Sequence, residues 1–170
     1  MDELNSKLIF GRRMSVFEAL NATLPHWNDE ILGDWDRLRR IKNFGSYISR
    51  YVKTRSGVYR VVAVAEDTII PVHLDRICGQ DRTGTLYIGR ASRLRSRLQQ
   101  LVRSVSERCR SSEHPACRRL KYPPLSKRFH PNSLALTWCY ESECQTAEYA
   151  LLRAYRDSFG EMPPLNGNVD

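Results

Sequence analysis

The sequence predicts one mixed domain of the α/β (α+β) class. Three β-rich apolar segments and two segments of helical periodicity follow one another in the order strand, strand, helix, strand, helix. With 170 residues, of which 41% are apolar, the chain can bury a core without disulfides or a structural metal. No apolar run approaches the roughly 18 residues that a membrane span needs. Collagen-like, coiled-coil, membrane and disordered classes are therefore excluded, and no membrane partner is expected.

The cysteines and the first residues of the chain predict a cellular location. The five cysteines are an odd number at irregular spacing, which argues against a disulfide framework and favours a reducing compartment. The first residues lack the basic-then-apolar order of a secretory signal. We therefore expect a cytoplasmic protein.

The positive charge is concentrated in one part of the chain. Lys and Arg number 27 against 19 Asp and Glu, which gives a net charge of +8. Residues 90–128 hold twelve basic and two acidic residues, a net charge of +10, so the remainder of the chain nets −2. Such a block is typical of proteins that bind a polyanion, most often nucleic acid, although a solvated helix face would have the same composition.

Residues 1–55 predict a helical N-terminal extension. Short helices are expected at residues 15–24 and from residue 36 to about 51. The segment carries ten basic and seven acidic residues and no cluster of ligand-like side chains, so we expect targeting or packing rather than chemistry. Trp27 and Trp35 should dock it on the rest of the protein, since two large exposed aromatics would be unusual.

Two strands follow the extension. Residues 57–65 are β-rich and nearly continuously apolar, which predicts a buried strand. Residues 85–88 predict a second strand, which ends at Gly89. The connection between them, from residue 67 to residue 84, is longer than a simple hairpin turn needs.

Helical spacing then replaces the strand pattern. Apolar residues recur on one helix face, which predicts a helix over residues 92–109. These residues are Leu94, Leu98, Leu101, Val102 and Val105. Residues 111–132 carry four prolines and are expected to form a loop. A third strand is predicted at residues 134–140 and a second long helix at residues 143–159, which Gly160 ends.

Two charged residues lie on or beside the apolar stripes of the long helices. Glu148 is near the middle of the stripe of the last helix, where a carboxylate is costly to bury unless a metal or an arginine meets it. Arg97 flanks the stripe of the first long helix. Its guanidinium can bind a phosphate in bidentate fashion or extend into water.

These residues also form part of a known pattern. The triplet Gly-Val-Tyr at 57–59 lies in the first predicted strand and Tyr-Ile-Gly at 87–89 in the second. Arg97 follows eight positions after the last glycine, Glu148 lies in the last helix, and Asn166 follows two prolines and a leucine. In this order, the five elements resemble the signature of the GIY-YIG nuclease family. The resemblance covers about two-thirds of the chain.

The resemblance implies a small domain with a three-stranded antiparallel sheet flanked by helices. It also implies a metal-dependent endonuclease that hydrolyses DNA phosphodiester bonds with one divalent cation, Mg²⁺ or Mn²⁺. By this resemblance, Glu148 of this chain would hold the metal, and Arg97 would stabilise negative charge on the scissile phosphate. Tyr59 and Tyr87 would position or deprotonate the attacking water, and Asn166 would anchor the edge of the site through hydrogen bonds.

The sequence departs from the family pattern at the position of a frequent catalytic group. Family members often have a histidine or tyrosine four residues after the arginine, but this chain has Leu101 there. A tyrosine, with an ordinary pKa near 10, needs cationic neighbours to act as a base near neutral pH. We favour Tyr59, with Tyr87 positioning the water or phosphate. The alternatives are His114 and His130, although both are more simply interpreted as surface histidines.

The resemblance places the nuclease domain at residues 56–170. The connection at residues 67–84 is expected to add either a strand or a loop that contacts DNA. Further DNA contacts are expected from Arg90, Arg93, Arg108, Arg110, Arg118, Arg119 and Lys121. The alternative function is a catalytically inactive module of the same fold that binds nucleic acid. Loss of the glutamate, the arginine or one of the two tyrosines would favour that alternative, and this chain keeps all four.

Overall fold

The computed structural model describes residues 35–106 and 114–167. Within these ranges the chain forms six β-strands, in two antiparallel sheets, and five α-helices. The strands are β1 (Arg39–Arg40), β2 (Gly57–Ala63), β3 (Leu74–Arg76), β4 (Gly79–Asp81), β5 (Thr85–Ala91) and β6 (Leu134–Tyr140). The helices are α1 (Gly45–Tyr51), α2 (Leu94–Ser106), α3 (Pro115–Leu120), α4 (Pro123–Arg128) and α5 (Cys144–Phe159). Single-turn 3-10 helices lie at Ile41–Asn43 and Pro131–Ser133.

The mixed α/β class is confirmed. The three predicted strands are present as β2, β5 and β6, and the two predicted long helices are present as α2 and α5. None of the helices in the described part of the chain has both the length and the apolar composition that crossing a bilayer requires.

The larger sheet has four strands, in the order β1-β6-β2-β5, so the expectation of a three-stranded sheet is wrong. The additional strand forms because Arg39 and Arg40 pair with Leu136 and Ala135 of β6. The predicted helix across these two arginines is therefore also wrong. Arg40 fixes the extended backbone by donating from Nε to the carbonyl of Thr68, 2.9 Å away. Sheet pairing here outweighs the local helical propensity.

The connection between β2 and β5 contains the hairpin of β3 and β4, which confirms the expectation of a further strand. Asp81, at the end of the hairpin, is fully buried. Its carboxylate accepts hydrogen bonds from the N–H groups of Thr83 and Thr85, at 2.8 and 2.9 Å. The hydroxyl of Tyr155 on α5 donates to the same carboxylate at 3.0 Å. Asp81 therefore fixes the turn that leads into β5.

The loop predicted over residues 111–132 is wrong for most of its length. Residues 115–120 and 123–128 form α3 and α4. The prolines mislead because Pro115 and Pro123 occupy the first position of a helix, where a missing N–H costs no hydrogen bond. The predicted C-terminal end of the first long helix, beyond residue 106, lies outside the described residues.

Helices cover both faces of the larger sheet. On one face, α1 and α2 pack on it through a core that includes Ile48, Leu98 and Trp138. On the other face, α5 packs through a second core that includes Ile88 and Leu151. The described part of the chain therefore consists of a helical layer, a sheet and a second helical layer.

The described part of the N-terminal extension contributes to these cores. The segment between β1 and β2 buries Ile41, Phe44, Ile48 and Val52. Trp35 packs against the core under α5, as expected. Residues 1–34, with the predicted helix at 15–24 and Trp27, lie outside the described residues. Residues 35–55 thus pack against the sheet, and the role expected of the whole extension stays a prediction.

The free edge of β5 is covered by the segment that follows α5. The N–H of Leu165 donates to the carbonyl of Leu86 at 2.8 Å. The Asn166 side chain accepts from the N–H of Ile88 at 2.9 Å and donates to its carbonyl at 2.8 Å. Asn166 thus provides the hydrogen bonds that a further strand would make.

We expect Asn166→Ala to destabilise the protein because it leaves both backbone groups of Ile88 unpaired at a buried edge. Each such group costs about 1–3 kcal/mol. Denaturant unfolding measures the loss. Ser142→Ala, which removes an exposed hydroxyl, is the control and should change the free energy of unfolding by less than about 0.5 kcal/mol. An Asn166→Ala protein as stable as the control would show that water replaces the side chain.

Candidate active site

The two motif tyrosines lie side by side in the sheet above a glycine. Tyr59 in the central strand β2 is directly opposite Gly89 in β5. The ring centroids of Tyr59 and Tyr87 are 5.9 Å apart. A Cβ atom on Gly89 would lie 2.5 Å from a ring carbon of Tyr87 and 2.8 Å from the hydroxyl oxygen of Tyr59. The glycine of the second triplet is therefore required by the two tyrosine rings.

His114 completes this aromatic cluster. It is fully buried, and its ring packs edge-on against Tyr59 and Tyr87. Its Nε2 lies 2.8 Å from the hydroxyl of Tyr59. The interpretation of His114 as a surface histidine is therefore wrong. The proline-rich sequence does not indicate that α3 begins here and places His114 against the sheet. His130 is exposed, as expected of a surface histidine.

A cleft of about 780 Å³ opens beside this cluster. It is bounded by β5, α2 and α5, and it is lined by Tyr87, Arg97 and Glu148. The structure therefore brings three of the predicted catalytic side chains to one cleft. Tyr59 is buried beside Tyr87 and does not line it.

Arg97 is a cation whose charge acts on several titratable groups of this site. It projects from α2 into the cleft, where its Nη1 donates to Oε1 of Gln100 at 2.7 Å. Its positive charge lowers the pKa of both Tyr59 and Tyr87 and also that of Glu148. A cation that acts on several groups of the site is suited to stabilise negative charge that develops in the cleft.

Glu148 forms an ion pair with Arg90. Its Oε2 accepts a hydrogen bond from Nε of Arg90 at 2.8 Å, and 23% of its side chain is exposed. Burial raises the pKa of Glu148, while the hydrogen bonds and charge of Arg90 and the charge of Arg97 lower it. The ion pair considered from the sequence is therefore present, and its cation is Arg90, for which a DNA contact stays a prediction.

The donor set fits a hard divalent cation that keeps most of its water. No group of three or more His, Cys, Asp or Glu side chains could hold a metal within residues 35–106 and 114–167. Glu148 is the one carboxylate among the residues that line the cleft. A single carboxylate is typical of Mg²⁺, which takes its other ligands from water and substrate phosphates. Mn²⁺ accepts the same oxygen ligands.

Among the described residues, burial dominates the pKa of Tyr59, and the assignment of Tyr59 as the base stays a prediction. Burial raises the pKa of Tyr59 well above its usual value, interactions with Tyr87 and the charge of Glu148 raise it further, and the charge of Arg97 lowers it. The pKa of His114 does not make this residue a better candidate for the base than Tyr59. Burial, and then the charge of Arg97, lower the pKa of His114 to about 3, so its imidazole is neutral near neutral pH.

Asn166 has the anchoring geometry that the resemblance implied. Its two hydrogen bonds hold Ile88, which lies between Tyr87 and Gly89 in β5. It therefore fixes the backbone that carries the second tyrosine. Its side chain is 8% exposed, and it does not line the cleft.

The predicted DNA-contacting residues fall into three groups. Arg90 and Arg93 line the cleft. Arg118 and Arg119 lie on α3, and Lys121 follows it, away from the lining of the cleft. Arg108 and Arg110 lie outside the described residues.

The sequence analysis missed several polar residues of α2 that line the cleft. They are Ser96, Gln99, Gln100 and Arg103. Most of them recur at helical spacing with Arg93 and Arg97, so they share one face of α2. The helical spacing of these polar residues is the sequence signal that indicates them.

No protein-family model matches the chain, and no curated protein or solved structure matches it either.

We expect Gly89→Ala to destabilise the protein by about 1–3 kcal/mol, the usual cost of overpacking a filled core. The added methyl must displace the rings of Tyr59 and Tyr87. Gly45→Ala, at the start of α1, is the matched control, because no described atom lies within 4 Å of its added Cβ. Denaturant unfolding of both variants checks the expectation. Equal stabilities would contradict the close approach of the tyrosines to Gly89.

We expect Arg90→Gln to raise the pKa of Glu148, because it removes a hydrogen-bonded positive charge from a partly buried carboxylate. NMR titration of the Glu148 side chain measures the pKa. Arg93→Gln removes an exposed charge from the same cleft and should raise it less. A pKa that stays at the wild-type value in Arg90→Gln would show that the ion pair does not form in solution.

Proposed function

We propose that the protein is a metal-dependent endonuclease of GIY-YIG type that hydrolyses DNA phosphodiester bonds with one divalent cation, Mg²⁺ or Mn²⁺. The observation that carries the proposal is the convergence of Tyr87, Arg97 and Glu148 on one cleft. A hydroxyl, a guanidinium and a carboxylate together meet the needs of phosphodiester hydrolysis.

The charge of the cleft supports a polyanionic substrate. Four arginines line it, against the single carboxylate of Glu148: Arg90, Arg93, Arg97 and Arg103. Residues 114–140, which include α3 and α4, add five basic residues and no acidic one. Such a set of charges can contact several phosphates of a nucleic acid.

The predicted catalytic residues have distinct roles in the proposed reaction. Glu148 would hold the divalent cation, which when bound polarises the phosphate and stabilises the leaving oxygen. Arg97 would neutralise the charge that develops on the phosphate oxygens. Tyr87 would hydrogen-bond the attacking water or a phosphate oxygen from its position on the cleft wall. Asn166 keeps the backbone of Tyr87 in register with β2.

The second candidate function is a catalytically inactive module that binds nucleic acid. It is favoured by the ion pair of Glu148 with Arg90, since the carboxylate already has the cation that its burial requires. The raised pKa of Tyr59 and of Tyr87 points the same way. Both functions use the same basic surface, so only cleavage distinguishes them.

We expect the wild-type protein to cut plasmid DNA in the presence of Mg²⁺ and not in the presence of EDTA. Single-stranded DNA and RNA in parallel reactions show which nucleic acid it prefers. Glu148→Gln should abolish cleavage, because an amide keeps the shape of the carboxylate and loses its charge. Glu143→Gln, an exposed acid at the start of the same helix, should cut at the wild-type rate.

Thermal unfolding shows whether Glu148→Gln keeps the fold. A folded Glu148→Gln protein that cuts as fast as wild type would contradict the metal assignment. A wild-type protein that binds DNA but cuts none of the three substrates with Mg²⁺ or Mn²⁺ would favour the inactive module.

A further inference from the structure

The charge of the N-terminal extension is unevenly distributed. All seven of its acidic residues lie within residues 1–36, whereas residues 37–55 carry seven basic residues and no acidic one. In this second segment, Lys42, Arg50, Lys53 and Arg55 are exposed. The nearly balanced charge of the whole extension therefore conceals a basic segment that contains α1.

Three aromatic rings form a stack beside and along α1. The ring centroids of Phe44 and Tyr47 are 5.2 Å apart, with 28° between the ring planes. The ring centroids of Tyr47 and Tyr51 are 4.5 Å apart, with 29° between the planes. Phe44 is buried in the core, whereas Tyr51 is 54% exposed. The stack thus leads from the core to the solvent and ends on an exposed ring.

Guanidinium groups accompany the two outer rings of the stack. Cζ of Arg39 lies 4.0 Å from the ring centroid of Tyr47, and Cζ of Arg50 lies 5.6 Å from that of Tyr51. Aromatic rings among basic residues are typical of surfaces that bind single-stranded nucleic acid, because the bases stack on the rings and the cations contact the phosphates. An unpaired base therefore has the shape and chemistry to extend this stack beyond Tyr51.

The aromatic and basic surface of α1 adjoins the cleft. Gln99 of α2 lines the cleft, and its Nε2 donates to Oγ of Ser49 on α1 at 3.0 Å. Tyr51 follows Ser49 by two positions, so helical spacing places it on the other side of α1, with the exposed Arg50 between them. A strand that leaves the cleft past Gln99 would therefore cross α1 over Arg50 and then reach Tyr51.

We propose that Tyr51 is a stacking platform for an unpaired base of the nucleic acid substrate, and that Arg50 and Lys53 contact the adjoining phosphates. The inference rests on the proposed function and deepens it, because it names a substrate with a single-stranded segment close to the bond that is cut. A continuous duplex keeps its bases stacked on one another and offers no free base face to the ring. The proposal also gives the basic part of the extension a role besides packing.

Binding in the presence of EDTA tests the platform without cleavage. The probes are a single-stranded DNA oligonucleotide and a blunt duplex of the same sequence. We expect Tyr51→Leu, which keeps an apolar contact with Tyr47 but has no ring, to weaken single-strand binding by about 5- to 150-fold, the value of one stacked base. Duplex affinity should change less than about twofold. Tyr51→Phe should bind the single strand like wild type, and so should Tyr149→Leu, which removes a similarly exposed ring from α5.

Thermal unfolding shows whether Tyr51→Leu keeps the fold. A folded Tyr51→Leu protein that binds the single strand as tightly as wild type overturns the proposal. Equal losses of affinity for the single strand and the duplex overturn it too, as do equal losses in Tyr51→Leu and Tyr149→Leu. Arg50→Gln should lower the slope of log K against log salt on the single strand by about 0.7. An unchanged slope overturns the phosphate contact of Arg50.

Photo-cross-linking tests the position of the base on the wild-type protein. A single-stranded oligonucleotide that carries 5-iodouracil couples on irradiation to an aromatic side chain in contact with the base, and mass spectrometry identifies the residue. We expect a cross-link to Tyr51, and cross-links confined to other residues overturn the proposal. A protein that never cuts, but cross-links at Tyr51, contradicts the endonuclease and supports the platform. A protein that cuts, but whose Tyr51→Leu variant binds the single strand like wild type, contradicts the platform alone.

Discussion

The close packing of Tyr59 on Gly89 is the constraint on which the site depends. Tyr59 lies in the central strand, so its ring can pack against β5 only if the residue opposite has no side chain. This contact brings Tyr87 beside Tyr59 and leaves room for the ring of His114. On the outer edge of β5, Asn166 replaces a missing strand and fixes the same backbone. Contacts on both edges of β5 thus fix the part of the sheet that borders the cleft.

Burial and arginine charge act in opposite directions on the pKa of the acidic groups of the site and in the same direction on the pKa of His114. Burial raises the pKa of both tyrosines and of Glu148, and it lowers that of His114. Arg97 opposes burial at the acidic groups, but it acts with burial on the imidazole. The protein therefore holds neutral hydrogen-bonding groups behind a charged cleft. Such an arrangement orders donors and acceptors and disfavours a proton-accepting side chain.

The sequence predicts best those features that depend on a regular period or on a residue type required by chemistry. The three long strands, both long helices and the cleft residues Tyr87, Arg97 and Glu148 are of this kind. The failures have tertiary causes. Arg39 and Arg40 become a strand only because β6 has an open edge. The prolines after residue 113 begin helices, because their fixed backbone angle suits a first turn. His114 could not be placed because its burial depends on where α3 meets the sheet.

The pair of Arg90 and Glu148 reconciles the two interpretations of this carboxylate. A partly buried carboxylate needs a cation at all times, and Arg90 supplies one from the neighbouring strand. In the proposed enzyme, Arg90 would exchange Glu148 for a DNA phosphate when a divalent cation is bound, so that neither charge is left uncompensated. The exchange involves one side chain at the rim of the cleft, where 44% of the Arg90 side chain is exposed. A site with one carboxylate and several arginines can therefore have both an ion-paired and a substrate-bound form without rearranging the tyrosines behind it.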